Sequence, residues 1–184
     1  YTPASIVLDA PISFAGGRNG ERWTPENYSR EYYGPQSLRR GLELSRNVMT
    51  VRLAQDVGMR NVVDLSRRMG VADNLQPNLS VSLGAGETTP YRLTAAYAAF
   101  INGGRRVDPY LIELVQDRDG DTIFRADPRR CRDCGRAFSG QESPRLEGRG
   151  TQVIDPITAY QISSMLEGVV QRGTGAGARG LGRW

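Results

Sequence analysis

In the stretch "LELSRNVMTVRLAQDVG", Ser45, Arg46 and Asn47 carry side chains that could do chemistry. Ser45 offers a hydroxyl, and Asn47, two positions on, offers an amide that both donates and accepts. They interrupt two apolar-periodic runs, and Ser and Asn are weak helix formers because their side chains compete for the nearby backbone. The chain is therefore expected to bend here between two helices. A plain helix break, in which Ser45 or Asn47 caps the following helix, is the simpler alternative. The sequence contains no histidine, which removes Ser-His-Asp and Cys-His catalysis and every His-ligated metal site. Acid–base chemistry must then use Lys, Tyr, carboxylates or hydroxyls, and no lysine occurs in these 184 residues.

Cys131 and Cys134, the two cysteines, form one C-x-x-C inside "DPRRCRDCGRAFSG". Two thiols without histidine supply half of a zinc site, and an Arg/Gly/Pro loop is the wrong setting for a thioredoxin-type motif. A short-loop disulfide in an oxidising compartment and a reduced pair both remain open. "GAGARG", residues 175–180, matches G-x-G-x-x-G but follows a helix pattern and has no downstream acid, so it reads as a connection. Trp23, Pro25, Asn27 and Tyr28 could line a cleft or pin down a long loop, with Trp23 the candidate for substrate contact. The net charge of +4 comes from scattered arginines, such as Arg39-Arg40 and Arg105-Arg106. Basic charge that is neither gathered on one helix nor interleaved with aromatics argues for a solvated surface and against nucleic acid.

With 39% apolar residues the chain can bury a real core. "SIVLDAPISF" reads as strand and turn, followed by an irregular aromatic loop. Ser37 is placed to cap a helix through Leu38 and Leu42; a second helix carries Val48, Val51 and Ala54 to Gly58, and a third runs from Asn61 to Gly70. "ETTPYRLTAAYAAFINGG" predicts a helix capped by Thr89, with a stripe of Leu93, Tyr97, Phe100 and Ile101. "YLIELVQDRDGDTIFRA" predicts a hairpin around Asp119-Gly120, and residues 126–150 a polar insertion. Asp155-Pro156 opens a last helix with Ile162, Met165, Leu166 and Val169 on one face. No apolar run is long enough to cross a bilayer and no signal peptide is visible. The start at Tyr1 rather than Met reads as a piece of something longer.

From end to end the sequence resembles the transpeptidase domain of class A penicillin-binding proteins, the bifunctional peptidoglycan synthases. The matching stretches, in order, are "YTPASIVLDAPISF", "YGPQSLRRGLELSRNVMTVRLAQDVG", "SLGAGETTPYRLTAAYAAFINGGRRVDPYLI", "VQDRDGDTIFRAD" and "AYQISSMLEGVVQRGTG". The C-x-x-C insertion is not part of that pattern. The resemblance implies an α/β fold of the α+β type, like serine β-lactamases, with helices packed on an antiparallel sheet and only part of the domain in this chain. Of the three motifs such enzymes carry, S-x-x-K, S-x-N and K-T-G, the S-R-N here matches the second. The other two are expected just before Tyr1 and just after Trp184.

What the resemblance implies about function is a D,D-transpeptidase that needs no cofactor or metal. An absent serine would attack the carbonyl of a D-Ala-D-Ala stem peptide, and the amine of a neighbouring stem would take the acyl group. Ser45 would relay a proton to the leaving nitrogen, Asn47 would hold substrate and lysine, and Arg46 would fill the variable position. Implied partners are stem peptides, lipid-linked precursors, β-lactams and other cell-wall synthesis proteins. The implied place is the periplasmic face of the bacterial inner membrane, with the anchor and any glycosyltransferase domain outside this chain. The alternatives are a non-catalytic scaffold of the same fold, or a serine β-lactamase or D,D-carboxypeptidase.

Overall fold

Three of the five α-helices among the described residues are started by a local side chain. The computed structural model describes residues 1–15, 22–127, 129–132, 134–135, 137, 139–140, 145–147 and 150–181. Strand β1 (Ile6–Asp9) pairs antiparallel with β2 (Gly34–Ser37), so that Asp9 faces Gly34 and Ile6 faces Ser37. Helix α1 (Leu38–Glu43) follows at once, capped as expected by the Ser37 hydroxyl, which accepts from the Arg40 N–H at 3.3 Å. Helices α2 (Asn47–Val57) and α3 (Met59–Arg68) meet at Gly58, whose φ of 86° ends one helix and starts the other. The third helix therefore begins two residues earlier than the sequence pattern suggests.

Helix α4 (Pro90–Ile101) is capped by Thr89 and α5 (Pro156–Arg172) by Asp155, whose carboxylate accepts from two backbone N–H groups of its first turn. The hairpin forms as β3 (Leu114–Gln116) and β4 (Thr122–Arg125), with the Asp117 carboxylate accepting from the amides of Asp119 and Asp121. Within 126–150, β5 (Arg130–Arg132) pairs with β6 (Arg145–Glu147). The fold is mixed α/β, and among the described residues the strands form three two-stranded antiparallel sheets. The strand expected over residues 5–14 is confined to β1; Phe14 makes only an isolated bridge to Trp23. Strand β2 had no sequence signal, because "GPQS" owes its extended form to pairing with β1 rather than to propensity.

One core cluster joins Met69, Ala96, Ala99 and Val153, flanked by Leu65, Val71, Phe100 and Ile154. This corrects the expected face of α4: Ala95, Ala96 and Ala99 are buried, whereas Leu93, Tyr97 and Ile101 are exposed. Alanines let α4 approach its neighbours closely, and of the expected stripe Phe100 packs against the core. The face expected on α5 holds, with Met165 buried and Ile162, Leu166 and Val169 half-buried. "GAGARG" lies in a short 3₁₀ segment after α5, consistent with a connection rather than a phosphate loop. No helix of the described residues is long and apolar enough to cross a membrane.

Candidate active site

Helices α1 and α2 turn sharply at Leu44-Ser45-Arg46, and close packing on both sides sets the angle. Gly41 of α1 lies against Met49 of α2, where an added Cβ would come within 2.7 Å of the Met49 methyl. Glu43, the last residue of α1, is 1% exposed, and its carboxylate takes a two-point ion pair from Arg172 at the end of α5, at 2.9 and 2.5 Å. Its carbonyl accepts from the Thr174 N–H at 3.1 Å. Arg39 of α1 adds a second cation 3.6 Å from Glu43 and donates to the Ser164 carbonyl and hydroxyl. The turn is thus fastened to the C-terminal half of α5.

Ser45 adopts φ 54°, the left-handed region that non-glycine residues seldom enter. The backbone holds it there: the Ser45 N–H donates to the Leu42 carbonyl at 3.1 Å and the Arg46 N–H to the Gly41 carbonyl at 2.9 Å. The Ser45 side chain is exposed, and its hydroxyl has no hydrogen-bond partner among the described residues. Arg46 is the formal cap of α2 but makes no side-chain capping bond; its guanidinium lies 3.6 Å from the centre of the Tyr33 ring. Asn47 is half-buried, and its Nδ2 donates to the Glu26 carbonyl at 2.9 Å. A carbonyl can only accept, so this bond fixes which way the amide faces and leaves Oδ1 as an acceptor.

The chain breaks between α1 and α2 as expected, but neither Ser45 nor Asn47 caps α2 through its side chain. The cap comes from the aromatic loop, where Asn27 Oδ1 accepts from the Val48 N–H at 3.3 Å. Asn27 is 3% exposed and donates through Nδ2 to both oxygens of the fully buried Asp9, at 2.8 and 3.0 Å, and to the Glu31 carbonyl at 2.9 Å. Asp9 also accepts from the Tyr33 N–H at 3.3 Å. Sequence reasoning named Asn27 only as a possible cleft residue and missed Asp9 and Glu43. Their one local signal is a charged residue inside an otherwise apolar run.

Trp23 lies in the same loop, three residues before Glu26, but its ring packs on Phe14 with centroids 5.7 Å apart. Nothing in the structure brings that ring to Ser45 or Asn47. Two cavities, of about 200 Å³ around Arg67, Tyr91 and Arg106 and about 520 Å³ around Asn74, Ser80 and Glu87, lie beside α4 and do not include the S-R-N turn. Cys134 is disulfide-bonded; the side chain of Cys131, on β5, lies outside the described residues. Among the described residues, no group of His, Cys, Asp and Glu is arranged to hold a metal ion. An exposed hydroxyl beside an oriented amide, on a turn clamped from two sides, can pass a proton and hold a polar substrate.

The model of the penicillin-binding protein transpeptidase domain matches residues 2–183. Penicillin-binding protein 1A of Rickettsia bellii is 41% identical over 184 residues, covering 98% of this chain and 23% of that protein. The chain thus spans about a quarter of the length of the curated relatives it matches. Among solved structures, penicillin-binding protein 1A of Haemophilus influenzae is similar with a TM-score of 0.76 and 31% identity, over 95% of this chain and 28% of that one. PonA1 of Mycobacterium tuberculosis in complex with penicillin V is similar in fold, with a TM-score of 0.71 and 19% identity, over 92% of this chain and 42% of that one.

Proposed function

The chain belongs to the penicillin-binding protein transpeptidase family, and from that premise we propose that it forms part of a serine D,D-transpeptidase that cross-links peptidoglycan. The nucleophilic serine and its lysine base come from an S-x-x-K motif, which these lysine-free residues do not contain. The serine oxygen attacks the penultimate D-Ala carbonyl of a stem peptide as lysine takes its proton. A tetrahedral intermediate collapses to an acyl-enzyme; the C–N bond to the terminal D-Ala breaks, and its nitrogen receives a proton through Ser45. The amine of a second stem peptide then attacks the ester, releasing the serine and completing the cross-link. Asn47 accepts from the lysine through Oδ1 and donates its second N–H to the substrate. A β-lactam enters by the first half of the same path; the similar PonA1 forms a complex with penicillin V.

One observation carries this reading: the exposed Ser45 hydroxyl has no partner among the described residues, and beside it the Asn47 amide is turned by the Glu26 carbonyl so that Oδ1 is left to accept. The parent protein sits at the periplasmic face of the inner membrane with a glycosyltransferase domain, and it takes lipid-linked precursors and contacts other cell-wall synthesis proteins. A disulfide between Cys131 and Cys134 suits that compartment. The test is labelling of the full-length protein with a fluorescent penicillin, comparing wild type with Ser45→Ala. Acylation is expected to slow by roughly 100-fold or more with an unchanged thermal midpoint. A wild-type protein that never labels, or a Ser45→Ala variant that labels at the wild-type rate, would refute the role.

A further inference from the structure

We propose that Asn27 is a positioning residue of this site, which caps α2 from a remote loop so that Ser45 and Asn47 are left free. The proposal rests on the transpeptidase reading above. The first four N–H groups of a helix have no partner inside it, and a nearby Ser, Thr, Asp or Asn usually supplies one. Here Ser45 stands one residue too early, turned away by its left-handed backbone, and Asn47 is already the first helical residue. Had either acted as the cap, its hydroxyl or amide would be consumed. Asn27, 21 residues upstream of Val48, takes that duty instead.

The support behind Asn27 makes this more than a single bond. A buried carboxylate is costly unless its oxygens are hydrogen-bonded, and Asp9, with no exposed surface, receives the Asn27 amide on both oxygens and the Tyr33 N–H on one. The other Asn27 hydrogen goes to the Glu31 carbonyl. Every donor and acceptor of this amide is therefore placed, and reversing it would set like atoms against each other on both sides. The next peptide back carries the Glu26 carbonyl that orients Asn47. Asp9 thus fixes Asn27, Asn27 fixes both the start of α2 and the peptide at Glu26, and Glu26 turns the Asn47 amide.

The experiment uses the full-length protein and resolves β-lactam acylation into its half-saturating concentration and its limiting first-order rate, alongside thermal midpoints. Asn27→Asp keeps an acceptor for the Val48 N–H but sets a carboxylate against Asp9. The limiting rate should fall about 10- to 100-fold, because a displacement of about 1 Å at a reacting group costs on that order. The half-saturating concentration should change less than about twofold. Should Asn27→Asp fail to fold, Asp9→Leu removes both acceptor oxygens behind the amide while deleting a buried charge, and the same loss of rate is expected. Since Asn27 acts through Asn47, Asn27→Asp combined with Asn47→Ala should be no slower than Asn47→Ala alone. Multiplying losses, or a wild-type limiting rate in variants with lowered midpoints, would overturn the positioning role and leave the transpeptidase reading standing. A wild-type rate in Asn47→Ala would instead overturn that reading at its root.

Discussion

Replacing Arg172 with Met strips the Glu43 carboxylate of its two-point partner at the base of the S-R-N turn. The Glu43 side chain is 2% exposed and that of Arg172 48% exposed. Breaking a fully buried ion pair by removing one partner costs about 3–5 kcal/mol, whereas an exposed pair is worth under about 1 kcal/mol. Water already screens one side of this guanidinium, and Arg39 remains 3.6 Å from the stranded carboxylate. The expected cost therefore lies between these limits, at about 2 kcal/mol. Glu43→Gln keeps the shape and removes the charge, so its cost should be about 1 kcal/mol. With both changes no charge is stranded, and the double variant should lose about 1 kcal/mol less than the sum of the singles. Urea titration and thermal unfolding of the full-length protein measure all four corners of the cycle. For a domain of ordinary size, 2 kcal/mol corresponds to a fall of about 4–8 °C in midpoint. Strictly additive losses, or an Arg172→Met variant within about 0.5 kcal/mol of wild type, would refute the account of Glu43 as a clamped buried charge.

Gly168→Ala on α5 should lower the thermal midpoint more than any exposed alanine substitution on that helix, because the new Cβ would fall 2.6 Å from the Glu43 carboxyl carbon and 2.8 Å from Arg172 Nη2; wild-type stability would show that the clamp yields freely. The Asp127 carboxyl, bonded through both oxygens by the Arg129 guanidinium, is held down from 3.8 to about 2. Its pairing contributes to stability fully above pH 3.8 and is lost as pH falls through about 2. A carboxyl carbon that titrates near 3.8 by NMR would contradict this.

The parts of the fold that could be read from sequence are those set within a few residues. Ser37, Thr89 and Asp155 cap the helices they precede, and Gly58 and Gly120 adopt the positive φ that ends a helix or closes a hairpin. Strand β2 could not be read, because its conformation comes from β1, nearly 30 residues earlier. The α4 stripe misled because hydrophobicity alone ranks Leu93, Tyr97 and Ile101 above Ala95, Ala96 and Ala99, whereas close helix approach rewards the small side chains. At the site, local rules favoured a helix break, and only the wider resemblance pointed to Ser45 and Asn47. The reason is physical: the groups that hold this turn act from a distance. Asn27 reaches across 21 residues and Arg172 across 129, and no short window of sequence contains both ends of such a bond.

The left-handed backbone of Ser45 restricts which amino acids could serve there, whatever the chemistry requires. Threonine carries the same hydroxyl, yet its branched Cβ makes positive φ a true outlier. Glycine, asparagine and aspartate accept that backbone more readily, but none brings a hydroxyl. A mutational survey of position 45 that scored catalysis and folding separately would find two nearly disjoint sets of tolerated residues. On the proposed role, serine is the aliphatic alcohol common to both, so handedness would constrain this position as much as reactivity.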